Sequence, residues 1–521
     1  MAEKFRITYA TMSADNEELQ AQYDAAAERA RAELGKTYPV VVNGEERWRD
    51  ETYDEPSPID ADILIGKFSQ ATVQDVDDAV AAAKAFQLEW DRTGWQERVR
   101  ILRNVADIME ERVFDLAALM AYEVGKSRLE ALGDVQETAE LIRWNCDEVE
   151  KHDGFRVPMS GLGAAGDYYD VLRPHGVWAV ISPFNFPMAL SGGPSSGALV
   201  AGNAVVLKPS NQGALLGYKL YECYRDGGVP AGAFHRITGR GAVAGEALWR
   251  HPDVNGITFT GSYPVGMDIY KNFATNVPKP VICEMGGKNP TIVTKSADID
   301  KATTGVMRSA FGFGGQKCSA CSRVYVEREV YDEFVSQLKT KTEQIKVGNP
   351  IERDVFLGPI INEAALDTYE EAAEEAQKNG TIVTGGQRIT EGDLGRGLFV
   401  EPTIAEAPED SWIWHKELFV PFVVVAPFDE LDDAIEKANA TEYGLTAGLF
   451  SNEEGEIDEW LDRIQAGVVY VNRQAGSTTG AWPGVQPFGG WKASGTTGKA
   501  GGGPYYMLQY LREQSRTVIS E

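Results

Sequence analysis

The chain has 521 residues, 43% hydrophobic and 25% charged, the proportions of a globular protein with room for two or three large cores. Its 50 Lys and Arg face 78 Asp and Glu, and the resulting formal net charge of −28 repels nucleic acid and anionic membrane surfaces. No apolar run reaches the roughly 18 residues that a membrane-spanning helix needs, and the N-terminus lacks the basic and apolar regions of a secretory signal, so a cytoplasmic location is expected.

Residues 16–34 place apolar side chains at helical spacing between charged ones, which predicts a peripheral amphipathic helix within an N-terminal extension over 1–37. YPVVVNGEE (38–46) reads as a strand with an Asn-Gly hairpin turn. Thr72 and Asp75 stand at capping-box spacing and open a helix that runs to Trp90, with two more over 97–111 and from 113 to about 125. Segment 155–173 reads as two extended stretches around a glycine-rich turn.

From Gly176 the pattern changes to short apolar runs separated by helical segments: GVWAVISPFNFP, NAVVLKPS, FHRITG and GITFTGS. Strands that are apolar without alternation belong to a parallel sheet covered on both faces, and so to a doubly wound nucleotide-binding domain. A second α/β series starts near Glu284. Its strands are NPTIVT, SRVYVE, FVEPTIAE, FVVVAPF, AGLFS and AGVVYVN, with helices over 331–346 and 363–378. A glycine-dense region covers 476–504, and 510–520 is a last strand which, like 155–173, can leave the body of the protein as an arm.

Five cysteines in so long a chain make no disulfide framework and fit a reducing compartment. Cys318 stands out because it follows a glycine-rich loop and Lys317 in FGFGGQKCSACSRV, where a nucleophilic thiolate can sit beside substrate. Asn185 ends the strand WAVISPF, where a neutral amide can hold an oxyanion, and Glu284 opens EMGGKNP, where a carboxylate can act as general base. Among glycine loops, Gly125-Lys126-Ser127 lacks the first glycine of a Walker A motif. Gly239–Gly241 with Gly245, and Gly261 with Gly266, instead suggest backbone amides and a helix N-terminus near a pyrophosphate. The pair Cys318-x-x-Cys321 has no second cysteine pair to complete a zinc site, so no metal is expected; a reversible Cys318–Cys321 disulfide is a possible redox device. Asn439-Ala440-Thr441 matches a glycosylation sequon.

Taken together, PFNFP (183–187), VVLKPS (205–210), FTGS (259–262), EMGGKNP (284–290), GQKCS (315–319), KELFVP (416–421) and PFGGWKASG (487–495) resemble, in order and spacing, the NAD(P)-dependent aldehyde dehydrogenase superfamily. The resemblance implies an α/β fold with a Rossmann-type parallel-sheet cofactor domain (38–154 and 174–283), an α/β catalytic domain (284–475) and β oligomerisation arms (155–173 and 476–521). It implies an enzyme that oxidises an aldehyde to a carboxylate through a thioester on Cys318, with the Asn185 amide and the Cys318 backbone N–H holding the oxyanion and Glu284 activating water. Lys208 would meet the adenine ribose, Ser262 the pyrophosphate, and Glu417 with Phe419 the nicotinamide ribose and ring. Further cofactor contacts fall on Ser182, Pro183 and Phe184, on Ser210 and Asn211, on Gly241 and Gly245, and on Phe259 and Gly261. Asn211 stands where many NAD-preferring members carry an acidic residue, so NAD is implied with NADP open, and Val420 replaces a common glycine.

Within the superfamily the N-terminal extension, GQKCSACSRVYV and TTGAWPGVQPFGGWKASGT look most like 1-pyrroline-5-carboxylate dehydrogenases, which oxidise glutamate γ-semialdehyde to glutamate in proline catabolism. That implies a substrate α-carboxylate held by Ser319, Gly480 and Ala481, with Lys317 adding positive charge and Phe186 and Phe488 walling the aliphatic chain. Trp482 and Pro483 depart from the usual loop. The alternatives are another semialdehyde or a simple aldehyde, transfer of the acyl group to coenzyme A, and a non-catalytic structural homologue. The partners implied are a small aldehyde and a second copy of the chain, in at least a dimer.

Overall fold

The computed structural model describes residues 16–161 and 165–519. The first fifteen residues of the expected N-terminal extension, residues 162–164 of one expected arm and the last two residues of the other lie outside them.

Two seven-stranded sheets form the frame. The first runs, edge to edge, Val281–Glu284, Val254–Thr260, Val177–Ile181, Ala204–Lys208, Phe234–Arg236, Val40–Val42 and Glu45–Arg47. Its first five strands are parallel and the hairpin is antiparallel, turning through Asn43 and Gly44 at φ 52 and 76, the left-handed geometry that an Asn-Gly pair tolerates. The second runs Thr381–Thr384, Thr403–Glu406, Phe422–Phe428, Cys321–Glu327, Asn289–Val293, Thr446–Phe450 and Val468–Val471, parallel except for its first strand. Strand Ala204–Lys208 of the first sheet and strand Asn289–Val293 of the second are buried along their whole length, as parallel strands covered on both faces must be.

Helix Val73–Arg92 carries the capping box, with the Thr72 and Asp75 side chains each accepting from the other's backbone N–H. Trp95–Glu111 and Val113–Val124 follow, the latter stopped by Gly125 in a left-handed conformation. Helix Arg128–Lys151, which the motif reading passes over, packs against both of its predecessors and against Ala189–Val200. Helices Ile299–Phe311, Leu431–Asn439 and Glu454–Arg463 are likewise additions to the expected set.

The N-terminal helix Glu17–Glu33 corrects the expectation of a peripheral arm. Leu19, Tyr23, Ala26 and Ala30 are buried against Val113–Val124, and burying the two larger of these contributes about 2 kcal/mol each. Arg128 clasps the helix by donating to Gln20 at 2.6 Å and pairing with Asp24 at 2.7 Å.

A separate three-stranded antiparallel sheet joins Arg156–Pro158, Asp167–Pro174 and Leu511–Val518, in that order from edge to edge. The C-terminal segment reaches it over the first sheet, where the Tyr510 hydroxyl meets Thr258 and Tyr506, and Asn203 donates to the Tyr510 carbonyl. No helix of the described residues is long and apolar enough to cross a membrane.

Candidate active site

Chain passage between the two sheets builds the centre. Strand Val281–Glu284 ends the first sheet on Glu284, residues 285–288 cross over, and Asn289 opens a strand of the second. The crossing backbone is pinned by the glycine-rich C-terminal region. Met285 N donates to Ser494 O at 2.8 Å, Ser494 Oγ donates to Gly286 O at 2.7 Å, and Cys283 N donates to Thr496 Oγ1 at 2.9 Å.

Cys318 arrives from the other side. Helix Ile299–Phe311 ends in a tight turn over Gly312–Gly315, where Phe313, Gly314 and Gly315 take φ of 52, 63 and 67. Two glycines make that left-handed run affordable, while Phe313 adopts it as a non-glycine residue. Beyond it the peptide is hung from polar side chains. Asn289 Nδ2 donates to Cys318 O at 2.7 Å and Ala320 O at 2.9 Å, and Thr478 Oγ1 donates to Ser319 O at 2.7 Å. Asn289 lies within the EMGGKNP motif, but only the fold reveals that it carries the cysteine loop.

Cys318 is partly exposed. Burial, and then the negative charges of Glu417 and Glu284, hold its thiol well above the usual range, so it rests protonated. Lys317 does not relieve this, because its ammonium is paired with Glu130 at 2.6 Å. Burial pushes the Glu284 carboxyl up to about 8, partly offset by the Gly490 N–H, and its Oε2 is buried without a hydrogen-bond partner among the described residues. Glu284 is near enough to act electrostatically on the thiol, and an unpartnered carboxyl oxygen can accept a proton.

Asn185 is buried on the turn between Val177–Ile181 and Ala189–Val200. Its neighbours join it to the rest: Phe184 meets Phe419 edge to face at 6.0 Å, and the Lys126 ammonium lies 3.5 Å above the Phe186 ring and 5.0 Å from that of Phe313. Lys126 also pairs with Asp134 at 3.0 Å, whose other oxygen accepts from Ala189 N. Helix Arg128–Lys151 thus directs Glu130, Asp134 and Glu137 along one face toward the cysteine loop. Burial works to raise Glu130, but Lys317 and Lys126 hold it below its ordinary value; Glu137 is pushed up to about 8 by burial and then by Asp134. The sequence signal for this acidic face was a helical spacing of carboxyls with no motif around it.

The residues expected at a nicotinamide cofactor fall into two groups. Lys208, Ser210, Asn211 and Gly245 meet at the end of strand Ala204–Lys208. Burial pushes the Lys208 ammonium down to about 8, its hydrogen bond goes to Pro209 O at 3.3 Å, and a Cβ at Gly245 would meet its stem at an ordinary contact distance of 3.4 Å. Asn211 Oδ1 is buried without a partner among the described residues. Gly241 is exposed and opens a turn into a helix of only five residues, Glu246–Arg250, so it offers less of a helix terminus than its motif suggested. Ser182 is engaged with Ser191 at 2.6 Å, and Pro183 begins the turn that carries Asn185. Further along, Ser262 precedes helix Tyr263–Asn272 without capping it by its side chain, leaving the first amides open to an anion, while Phe259 packs against Gly261. Glu417 accepts from Gly287 N at 2.8 Å, and Phe419 takes φ 58 beside it. Orphaned polar atoms, an uncapped helix and a side-chain-free cradle together fit a dinucleotide.

Ser319 is buried, with its carbonyl held as described. In the late loop the Arg473 guanidinium donates to the Thr479 and Gly480 carbonyls, holding Gly480 at φ 98. Phe488 exchanges backbone hydrogen bonds with Gly501. The Cys321 sulfur is buried against Thr291 Oγ1 at 3.2 Å and Arg323 O at 3.7 Å, and both Cys318 and Cys321 are free. The Asn439 amide of the sequon is spent on Arg463 O and Gln465 N. Among the described residues no cluster of acidic, His or Cys side chains is arranged for a metal ion.

Comparison with known proteins gives a consistent set. A model of the aldehyde dehydrogenase family matches residues 46–516. A protein of Geobacillus sp. (strain WCH70) named 1-pyrroline-5-carboxylate dehydrogenase is 37% identical over 503 residues, covering 95% of each chain. The crystal structure of 1-pyrroline-5-carboxylate dehydrogenase from Thermus with bound NAD is similar over 100% of both chains, with a TM-score of 0.92 and 31% identity. Proline utilization A from Bdellovibrio bacteriovorus matches 96% of this chain with a TM-score of 0.91 and 35% identity, and the chain spans about half, 52%, of its length.

Proposed function

The chain belongs to the aldehyde dehydrogenase family, and from that membership we propose that it oxidises L-glutamate γ-semialdehyde, the open form of 1-pyrroline-5-carboxylate, to L-glutamate. The observation that carries the reading is the convergence of a free, partly exposed Cys318 with the buried carboxyls of Glu284 and Glu417, each acting on the thiol.

Cys318 gives up its proton to the unpartnered oxygen of Glu284, and its sulfur adds to the aldehyde carbon. The oxyanion that forms is held by the Asn185 side-chain amide and the Cys318 N–H. A bound nicotinamide supplies the acceptor for the hydride that the tetrahedral adduct releases. With the acyl group now a thioester on Cys318 and the first proton passed from Glu284 to solvent, Glu284 takes a proton from water, the water attacks, and the carboxylic acid departs as the sulfur is restored. A carboxyl retained for this water step separates the reading from transfer to coenzyme A.

Lys208, Ser210, Asn211 and Gly245 would hold the adenosine end of the cofactor, the amides at Ser262 its pyrophosphate, and Glu417 its nicotinamide ribose. The Asn211 oxygen, an acceptor, suits a ribose 2′-hydroxyl better than a 2′-phosphate, which supports NAD over NADP. On the substrate side, Ser319 and the Gly480–Ala481 amides form an anion site for the α-carboxylate. Glu130, held ionised beside Lys317, offers the α-ammonium its counter-charge, so the head group meets N–H and O–H donors at its carboxylate and a carboxylate acceptor at its ammonium.

The three-stranded sheet leaves Arg156–Pro158 and Leu511–Val518 as edges without strand partners among the described residues, and Val157, Met159, Val518 and Ile519 are exposed there. Open edges with apolar side chains support assembly into at least a dimer. Free thiols throughout support the cytoplasm. Steady-state rates on glutamate semialdehyde beside succinic semialdehyde and propanal, each with NAD and NADP, test the assignment. Preference for either comparison aldehyde would overturn the substrate.

A further inference from the structure

Lys288 follows the two glycines of the crossing. Its ammonium is buried, with the residue 1% exposed, and has no hydrogen-bond partner among the described residues. A solitary buried cation is costly, and it persists where an opposite charge lies near. The groups facing it are Arg323, which repels it, and Glu417 and Cys321. Arg323 cannot serve the carboxylate itself, since its donors go to Lys288 O at 3.0 Å, Lys437 O at 3.1 Å, Ala438 O at 2.8 Å and the Tyr325 hydroxyl. Glu417, for its part, is faced by Cys318, Tyr443 and Lys288, and Lys288 alone of these three is a cation. The Gly287 N–H that binds Glu417 at 2.8 Å belongs to the residue immediately before Lys288, so one short peptide supplies both the hydrogen bond and the charge.

We infer that Lys288 is a positioning residue that keeps the Glu417 carboxylate ionised, so that both its oxygens can accept from the hydroxyls of the nicotinamide ribose. The inference rests on the assignment of Glu417 made above. A protonated carboxyl turns one of its two oxygens into a donor, and a ribose diol then meets one acceptor in place of two. Burial drives the Glu417 carboxyl up and the Lys288 ammonium down, so the two groups are set to share one proton. The ribose hydroxyls favour the carboxylate and send that proton to Lys288. Removing the ammonium raises the Glu417 pKa, and each unit of rise lowers the ionised fraction about tenfold at pH values below it.

The test is direct binding of NAD+ and of ADP, which lacks the nicotinamide ribose, to the full chain by calorimetry between pH 6 and 9. For Lys288→Met the expectation is about tenfold weaker NAD+ binding at pH 7, unchanged ADP binding, and a pH midpoint for NAD+ affinity moved upward. Lys288→Arg should restore NAD+ affinity to within about threefold. In Glu417→Gln the NAD+ affinity should lose its pH dependence, and adding Lys288→Met to it should cost nothing more. An unshifted NAD+ profile in Lys288→Met, or equal losses of NAD+ and ADP, would overturn the inference. Should Lys288→Met fail to fold, Lys288→Gln measured in the same way decides. If Glu417→Gln alone leaves NAD+ binding intact, the assignment of Glu417 falls; if it weakens binding while Lys288→Met does not, only the role of Lys288 falls.

Discussion

The Asn289 side-chain amide donates to the Cys318 carbonyl at 2.7 Å, so the loop that carries the sulfur is suspended from the first residue of a strand that begins five positions after Glu284. Cys318 and Glu284, the proposed nucleophile and base, are therefore located by one stretch of chain although they lie far apart in sequence. The same amide donates to Ala320 O, and its oxygen accepts from Thr446 N at 3.0 Å.

Asn289→Ala should consequently injure both stability and chemistry. It leaves two carbonyls and one N–H without their partner in a buried setting, at a cost on the order of 3 kcal/mol. Urea unfolding should show that loss, and kcat at a temperature where the variant stays folded should fall at least about tenfold. Full activity in a folded variant would mean that the loop holds its shape without the clamp.

Cys318→Ser should reduce turnover by roughly a thousandfold or more, because the hydroxyl is a far poorer nucleophile without a stronger base. Glu284→Gln should release its burst of reduced cofactor more slowly, because the thiol proton must then leave to solvent, and should stall at the thioester. A steady-state rate equal to that of the parent enzyme would refute the corresponding role.

Burial sets the pH profile. With the Glu284 carboxyl raised to about 8, the group is protonated below that value and cannot take a proton from water or thiol. The rate of thioester hydrolysis should therefore fall as pH drops through about 8, by close to tenfold per unit further down, and flatten above it. Single-turnover release of product read from pH 6 to 10 gives the midpoint; a flat profile over that range would remove Glu284 as the base.

Substrate recognition separates from chemistry at Ser319 and Glu130. Ser319→Ala and Glu130→Gln should each raise KM for glutamate semialdehyde by about tenfold while leaving kcat/KM for propanal within about threefold, since propanal has neither charged group. Parallel changes for the two aldehydes would show that these side chains support the pocket without reading the head group.

Light scattering of the purified chain should give a particle at least twice the 57.0 kDa of one subunit. Charged substitutions at Val157 and Val518 should halve it while leaving the two large sheets folded, because both side chains are exposed on edge strands.

Much of this molecule is legible in one dimension because its signals are local. A capping box at Thr72 and Asp75, an Asn-Gly turn at Asn43 and Gly44, and strands such as Ala204–Lys208 and Asn289–Val293 with apolar residues on both faces need no distant partner to be recognised. Cys318, Glu284, Asn185 and Glu417 announce themselves for the same reason, each embedded in a run of glycines, prolines and apolar residues whose order resembles a known family. What the tertiary structure alone decided are relations across long separations. It turned Lys317 from a free positive charge into the partner of Glu130, brought the N-terminal helix from the periphery onto Val113–Val124, and set Glu130, Asp134 and Glu137 on the face of an unannounced helix. It also made Asn289 the support of a loop and left the buried Lys288 ammonium without a hydrogen-bond partner among the described residues. Charge, burial and hydrogen bonding depend on which groups share a few ångströms of space, and that neighbourhood is created only when the two sheets are joined.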